Sequence, residues 1–300
     1  MAESAGMAAA QNVLTIGETM VLVTPDQPEP LQDATAFRLE IGGAESNVAC
    51  HLVGAGIPAA WAGAVGDDPL GRRLTATLRA RGVDTSLVVV DPDAPTGVYF
   101  KDPGPDGTRV HYYRAGSAAS RLGPDFAAGL PLADAALVHV SGITAALSDS
   151  CRALLDEVIK IRSGLGRPVS FDVNYRPALW DVSVAAGELL DLARRCDLVF
   201  VGRDEAEVLW GTPSADEIQA LVGPGRTVVI KDGDVGAHVF ADGTSHFAPA
   251  RKVDVVEPVG AGDAFAAGYL AAELGGASPT QALERGHRFA AAALSTTGDF

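Results

Sequence analysis

Short β-branched runs alternate along this chain with helix-forming stretches, and that alternation leaves few folds open to it. Residues 13–16 stop at Gly17, 60–65 at Gly66, 169–173 at Asn174 and 198–201 at Gly202. Helical patterns lie between them, from 68 to 80 and from 149 to 161. Unbroken apolar runs this short suit strands covered on both faces, and strand–helix–strand order calls for a largely parallel sheet. The expected fold class is therefore α/β. Residues 21–23 read as a continuation of the first strand, and 25–37, rich in Pro, Asp and Gln, as a surface excursion.

Two runs break the alternation. Residues 96–101 and 110–114 both read as strands and flank the turn sequence Pro103-Gly-Pro-Asp-Gly107. A hairpin inside a βαβ series reads as a small β lid on the core. Tyr99, Tyr112 and Arg114 on it fit two readings. They are packing and solvated charge, or they offer flat faces, hydroxyls and a planar cation to a polar, anionic ligand.

Three hundred residues fit one large α/β domain with an addition, or two small domains. No linker or repeat divides the chain, so 12–300 is read as a single domain and 1–11 as a flexible N-terminus. A hydrophobic content of 47% supplies a core, and a net charge of −15 without any Lys/Arg cluster argues against nucleic acid or an anionic membrane as partner. Cys50, Cys151 and Cys196 are far apart and odd in number, which fits buried free thiols in a reducing compartment. With no signal-like leader and no apolar run long enough for a bilayer, the expected location is the cytoplasm.

Near the end, residues 253–256 read as a buried strand closed by Pro258, followed by the turn Gly260-Ala-Gly-Asp263 and a helix from 264 to 272. Amides of residues 261–263 would point outward from the first helical turn, a ready site for a phosphate or a developing oxyanion. Asp263 either caps that helix or takes a proton from an attacking hydroxyl. Alone, such a motif is usually just a capped loop, and it lacks the third glycine of a dinucleotide fingerprint.

Other polar groups stand at comparable places. Gly42-Gly43 opens a helix, either as a plain strand-to-helix turn or so that a ligand approaches Gly43 while Asn47 presents a donor and an acceptor. Ser141-Gly-Ile143 and Asn174-Tyr-Arg-Pro177 follow the carboxyl ends of strands, where parallel sheets bind ligands. Pro177 holds Arg176 extended, as a solvated cation or a directed one. The acidic start at 203–207 complements a helix dipole, or Glu205 orients Mg²⁺ through water.

Gly42-Gly-Ala-Glu-Ser-Asn47 and Val259-Gly-Ala-Gly-Asp-Ala-Phe-Ala-Ala-Gly268 together resemble the two signatures of the ribokinase-like (PfkB) carbohydrate kinases. Residues 112–120, 141–144 and 171–180 narrow the resemblance to family members that act on 2-keto-3-deoxygluconate. The resemblance implies a three-layer fold with a mostly parallel central sheet and a lid from about 18–40 and 96–115. It implies transfer of the ATP γ-phosphoryl to a C6 hydroxyl, with Mg²⁺ and a monovalent cation such as K⁺ as accessories.

By the same resemblance, Gly43, Asn47, Tyr99, Tyr112, Arg114, Ile143, Arg176 and Asp299 surround a sugar acid. Asp263 is the base, and Gly260, Ala261 and Gly262 form the anion hole. Lys231 and Gly233, with Gly260 and Gly262, meet the nucleotide, and Glu205 serves the metal. Ribokinases proper grip a furanose with Asn and Asp where this chain has Met20 and Leu22, so that grip is absent. The family's Asn-x-x-Glu reads Gly202-Arg-Asp-Glu205 here. The exposed lid edge implies a homo-oligomer. Fructokinase-like activity, or a sugar-sensing homologue without catalysis, are the rival readings.

Overall fold

The computed structural model describes residues 12–104, 107–255 and 259–295. The chain opens with β1 (Val13–Ile16), leaves the core as β2 (Met20–Pro25) and β3 (Phe37–Gly42), and returns through α1 (Ala44–Gly54). Next come β4 (Ala59–Gly66), α2 (Pro69–Ala80) and β5 (Val88–Asp91), then the hairpin β6 (Val98–Gly104) and β7 (Gly107–Tyr113). The core resumes with α3 (Pro124–Gly129), β8 (Leu137–Ser141), α4 (Gly142–Leu147), α5 (Asp149–Gly164), β9 (Val169–Asp172) and α6 (Val182–Arg195). It continues with β10 (Leu198–Gly202), α7 (Arg203–Trp210), α8 (Ala215–Val222), β11 (Thr227–Asp232), β12 (Gly236–Ala241) and β13 (Thr244–Pro249). Two helices close it, α9 (Ala261–Leu274) and α10 (Pro279–Leu294).

Nine strands form the main sheet in the order β13-β12-β11-β10-β9-β8-β1-β4-β5. The seven from β11 to β5 run parallel, and β12 and β13 are antiparallel additions at one edge. Successive side chains alternate between the faces, as a strand requires. Val199 and Val201 enter one core with α5, α6 and α8, while Leu198 and Phe200 enter the other with α1, α2, α9 and α10. Both faces are thus covered, giving the three layers expected, and the continuous apolar runs follow from that double burial. From β1 the chain proceeds to β4 on one side and to β8 on the other, so the loops after β1 and β8 part and leave a crevice at the strands' carboxyl ends.

A second sheet, β3-β2-β6-β7, stands over that crevice. β2 and β6 are parallel, and the outer pairs are antiparallel. Residues 21–23 therefore do not prolong β1 but belong to this lid. Val21 packs into the main core while Met20 and Leu22 pack on Tyr99, so both faces of β2 find apolar cover only between the two sheets. The tip residues 105 and 106 lie outside the described residues.

The strand expected at 253–256 is not formed over its described part. Residues 251–255 pair with no strand, and Val255 is 60% exposed. The outer edge of β13 stays unpaired among the described residues, and β-branched residues become a strand only where neighbours pack and bury them, which Val255 lacks. Val256 and Pro258 lie outside the described residues. Cys50, Cys151 and Cys196 are buried free thiols. No described helix is long and apolar enough to cross a membrane.

Candidate active site

The carboxyl ends of β9, β10 and β11 stand side by side and bring their last residues together with the first turn of α9. Asp172 ends β9, and the Lys231 ammonium, near the end of β11, donates to both of its oxygens at 3.2 and 2.8 Å. Burial works against the Lys231 charge, but Asp172, Glu205 and Asp263 outweigh it and raise its pKa. A Cβ placed on Gly262 would lie 3.6 Å from Lys231 Nζ, so the cation faces the exposed glycine turn. Gly260 has φ 82, a left-handed conformation that side chains resist, and it turns the chain into α9. Gly233, at φ 50, makes the exposed turn just beyond Lys231.

Asp263 lies in the first turn of α9, and Asn47 Nδ2 donates to its Oδ2 at 2.8 Å. Its pKa is pushed up to about 7, chiefly by burial and further by Asp172, with Asn47, Arg176 and Lys231 pulling the other way. An ordinary surface carboxylate is a poor base for an alcohol, whereas one poised near neutrality suits proton transfer at working pH. Asn47 Oδ1 in turn accepts from Gly43 N at 3.5 Å. Gly43 is extended, so its torsions do not demand glycine. Space does, because a Cβ there would come within 2.3 Å of the Glu18 carbonyl oxygen.

Glu205 faces its own helix. Gly202 N donates to Oε2 at 2.8 Å and Tyr175 N to Oε1 at 3.1 Å. Burial raises its pKa, although Lys231 opposes the shift. Among the described residues no three acidic, His or Cys groups form a metal cage. The donor set therefore suits Mg²⁺ that arrives on phosphate oxygens and keeps its waters, not a resident ion held by protein ligands alone. Arg176 is exposed and acts on both Glu205 and Asp263 through its charge.

On the lid side, Tyr99 is buried and stacks on the half-exposed Tyr112 at 5.7 Å between ring centres. The Arg114 guanidinium lies 5.7 Å from the Tyr112 ring centre and pairs with Glu18. Ile143, half-buried at the start of α4, donates its N–H to Ser141 Oγ at 3.2 Å. Ser141 and Thr144 both donate to Glu45 Oε1, at 2.7 and 2.8 Å. Glu45 is fully buried, which raises its pKa despite those bonds.

The crevice thus gathers Gly43, Asn47, Lys231, Gly262 and Asp263 on the α9 side and Tyr99, Tyr112 and Arg114 on the lid side. Asp299 lies outside the described residues. Glu18, Glu45 and Asp172 escaped sequence reasoning. Each stands at or just past a strand's carboxyl end or in the first turn of the following helix, and that position was the available signal. A cavity of about 470 Å³ opens elsewhere, at the amino ends of β10 and β11 beside Asp197, Arg226 and Phe240, and contains none of these groups.

The sequence profile of the pfkB family carbohydrate kinases matches residues 10–299. A 2-dehydro-3-deoxygluconokinase of Thermoproteus tenax is 37% identical over 296 residues, covering 96% of this chain and 90% of the relative. A 2-dehydro-3-deoxygalactonokinase of Haloferax volcanii is 36% identical over 293 residues, covering 96% and 92%. In three dimensions, the crystal structure of a 2-dehydro-3-deoxygluconokinase from Thermotoga maritima superposes with a TM-score of 0.89 at 26% identity, covering 97% of this chain and 95% of that one.

Proposed function

The chain belongs to the pfkB family of carbohydrate kinases, and we propose that it transfers the ATP γ-phosphoryl to the C6 hydroxyl of 2-keto-3-deoxygluconate. The observation that carries this reading is Asp263, hydrogen-bonded by Asn47, raised to about 7 and set on a glycine turn that faces Lys231. Phosphoryl transfer needs alignment and charge neutralisation more than covalent help. In this reading Asp263 orients the C6 hydroxyl and accepts its proton as the bond to phosphorus forms. The amides of Ala261 and Gly262 and the Lys231 ammonium receive the charge on the transferred group. Mg²⁺, brought by ATP, supplies further neutralisation of the phosphate oxygens.

The choice of a sugar acid rests on Arg114 and Arg176 in an otherwise acidic molecule, and on the relatives that act on 2-dehydro-3-deoxy acids. Met20 and Leu22 are buried against Tyr99, which leaves no polar grip for a furanose at those positions. Exposed Phe37, Leu39 and Tyr113 on the outer strands of the lid sheet support a homo-oligomer formed through the lid, to be read by light scattering. The buried free thiols suit a cytoplasmic protein.

A coupled ADP-release assay with Mg-ATP tests the reading, offering 2-keto-3-deoxygluconate, its galactonate epimer, fructose and ribose in separate arms. Turnover restricted to the keto-deoxy acids is expected. Preference for fructose would transfer the assignment to a neutral-sugar kinase, and silence with every acceptor would favour a sensing protein. Exchanging K⁺ for a bulky organic cation in the same assay reads any monovalent requirement.

A further inference from the structure

All four chain crossings between the main sheet and the lid meet at one buried residue, three of them at its carboxylate. Glu18 lies on the first crossing, between β1 and β2, and its side chain is 0% exposed. The second, between β3 and α1, presses Gly43 onto the Glu18 carbonyl oxygen, where a Cβ would come within 2.3 Å. The third enters β6 through Gly97, where a Cβ would come within 2.9 Å of Glu18 Oε1. The fourth leaves β7 and supplies both side-chain partners of Glu18. Ser117 Oγ donates to Oε1 at 2.6 Å, and Arg114 Nη2 pairs with Oε2.

Arg114 is held almost out of solvent, its side chain 10% exposed. The Tyr112 ring flanks it, and its Nε is buried without a hydrogen-bond partner among the described residues. A free arginine side chain loses rotamer entropy on meeting a ligand, and an anchored guanidinium does not lose it again. One edge of the guanidinium is fixed by Glu18. Only the small exposed part of the side chain is within reach of a substrate carboxylate.

We propose that Glu18 is a positioning residue: it anchors Arg114 so that the guanidinium is preset for the carboxylate of the sugar-acid substrate. The inference rests on the reading of Arg114 as a substrate contact. It adds that recognition of the acid depends on a core carboxylate that never touches it. Ser117 supports the same anchor from the other side. The role is separate from phosphoryl transfer, so its loss acts on acid binding and leaves the chemistry in place.

Steady-state kinetics of wild type, E18Q, S117A, R114Q and E18Q/R114Q test it, with 2-keto-3-deoxygluconate and ATP varied in turn. Gln keeps the shape of Glu18 but loses the charge that pairs with Arg114, and S117A is a gentle second variant should E18Q unfold. The KM for the acid is expected to rise about tenfold in E18Q and about threefold in S117A, with kcat and the KM for ATP within about twofold of wild type. E18Q added to R114Q should change nothing further, because the anchor then holds nothing. An unchanged acid KM in both E18Q and S117A, additive effects in the double variant, or parallel losses in kcat and ATP KM would overturn the proposal. If R114Q leaves the acid KM unmoved, or wild type ignores the acid, the substrate reading itself falls and this inference with it. That pattern is distinct from a failure of Glu18 alone.

Discussion

The two walls of the crevice solve opposite electrostatic problems. On the α9 wall, burial and Asp172 crowd Asp263 until its carboxyl is lifted to about 7, with Asn47, Arg176 and Lys231 only partly relieving it. On the lid wall, Arg114 meets Glu18 one to one and stacks on an aromatic face. The α9 wall is built on the ends of core strands and the first turn of a core helix. The lid wall is built on a hairpin and the crossings beneath it. A carboxyl lifted towards neutrality suits proton transfer, whereas a guanidinium already held by a partner suits recognition. In the proposed reading the α9 wall would carry the chemistry and the lid wall the selectivity.

Breaking the α9 wall should produce the largest effect. Asp263→Asn should lower kcat by about a hundredfold or more with little change in either KM, measured by the coupled assay. A kcat near that of wild type would remove Asp263 as the base. The same variant sharpens the comparison through stability. The folded-state pKa of Asp263 lies above its ordinary value, so its neutral form favours the folded state at low pH. That contribution is lost as pH rises from about 4 to about 7. Thermal melts should therefore show D263N more stable than wild type at pH 8, with the gap closing towards pH 4.

The next effect is in the pH profile. The base must be ionised, so kcat/KM should fall about tenfold per unit once the pH drops below about 7. Asn47→Ala removes the hydrogen bond that stabilises the ionised form and should move this limb upward, whereas loss of a mere packing residue would leave it in place. On the lid wall, Tyr112→Ala should raise the KM for the acid about threefold while kcat holds. The melting temperature should change little, because Tyr112 is 42% exposed. An equal fall in kcat would show that the two walls are not separable.

What could be read from the sequence divides along the range of the interactions involved. The glycine turn before α9, the lid hairpin and the strands that end at Gly17, Asn174 and Gly202 depend on local conformational preferences, and they appear where those preferences place them. Residues 253–255 failed because a β-branched pattern reports fitness for a strand but says nothing of whether tertiary neighbours pack on it. The charge pattern was the least legible. Asp172 finds Lys231 at a separation of 59 residues and Glu45 finds Thr144 at 99, pairings that only the strand order creates. Asp263 stood out as a carboxylate on a helix start, but its lifted pKa comes from tertiary burial that the motif does not encode.

The close fit of Gly17 against Glu45 has a consequence for how this enzyme can diversify. A Cβ at position 17 would overlap the Glu45 carboxyl carbon at 2.2 Å, so a side chain enters there only if the buried Glu45 carboxyl gives way and strains its bonds to Ser141 and Thr144. Replacing Glu45 first strips Ser141 and Thr144 of their shared acceptor in a site that water does not reach. Either step alone carries a cost. A lineage changing acceptor specificity at the mouth of β1 does so most readily by changing both positions together, or by leaving that corner alone and exploring exposed lid positions such as Tyr112.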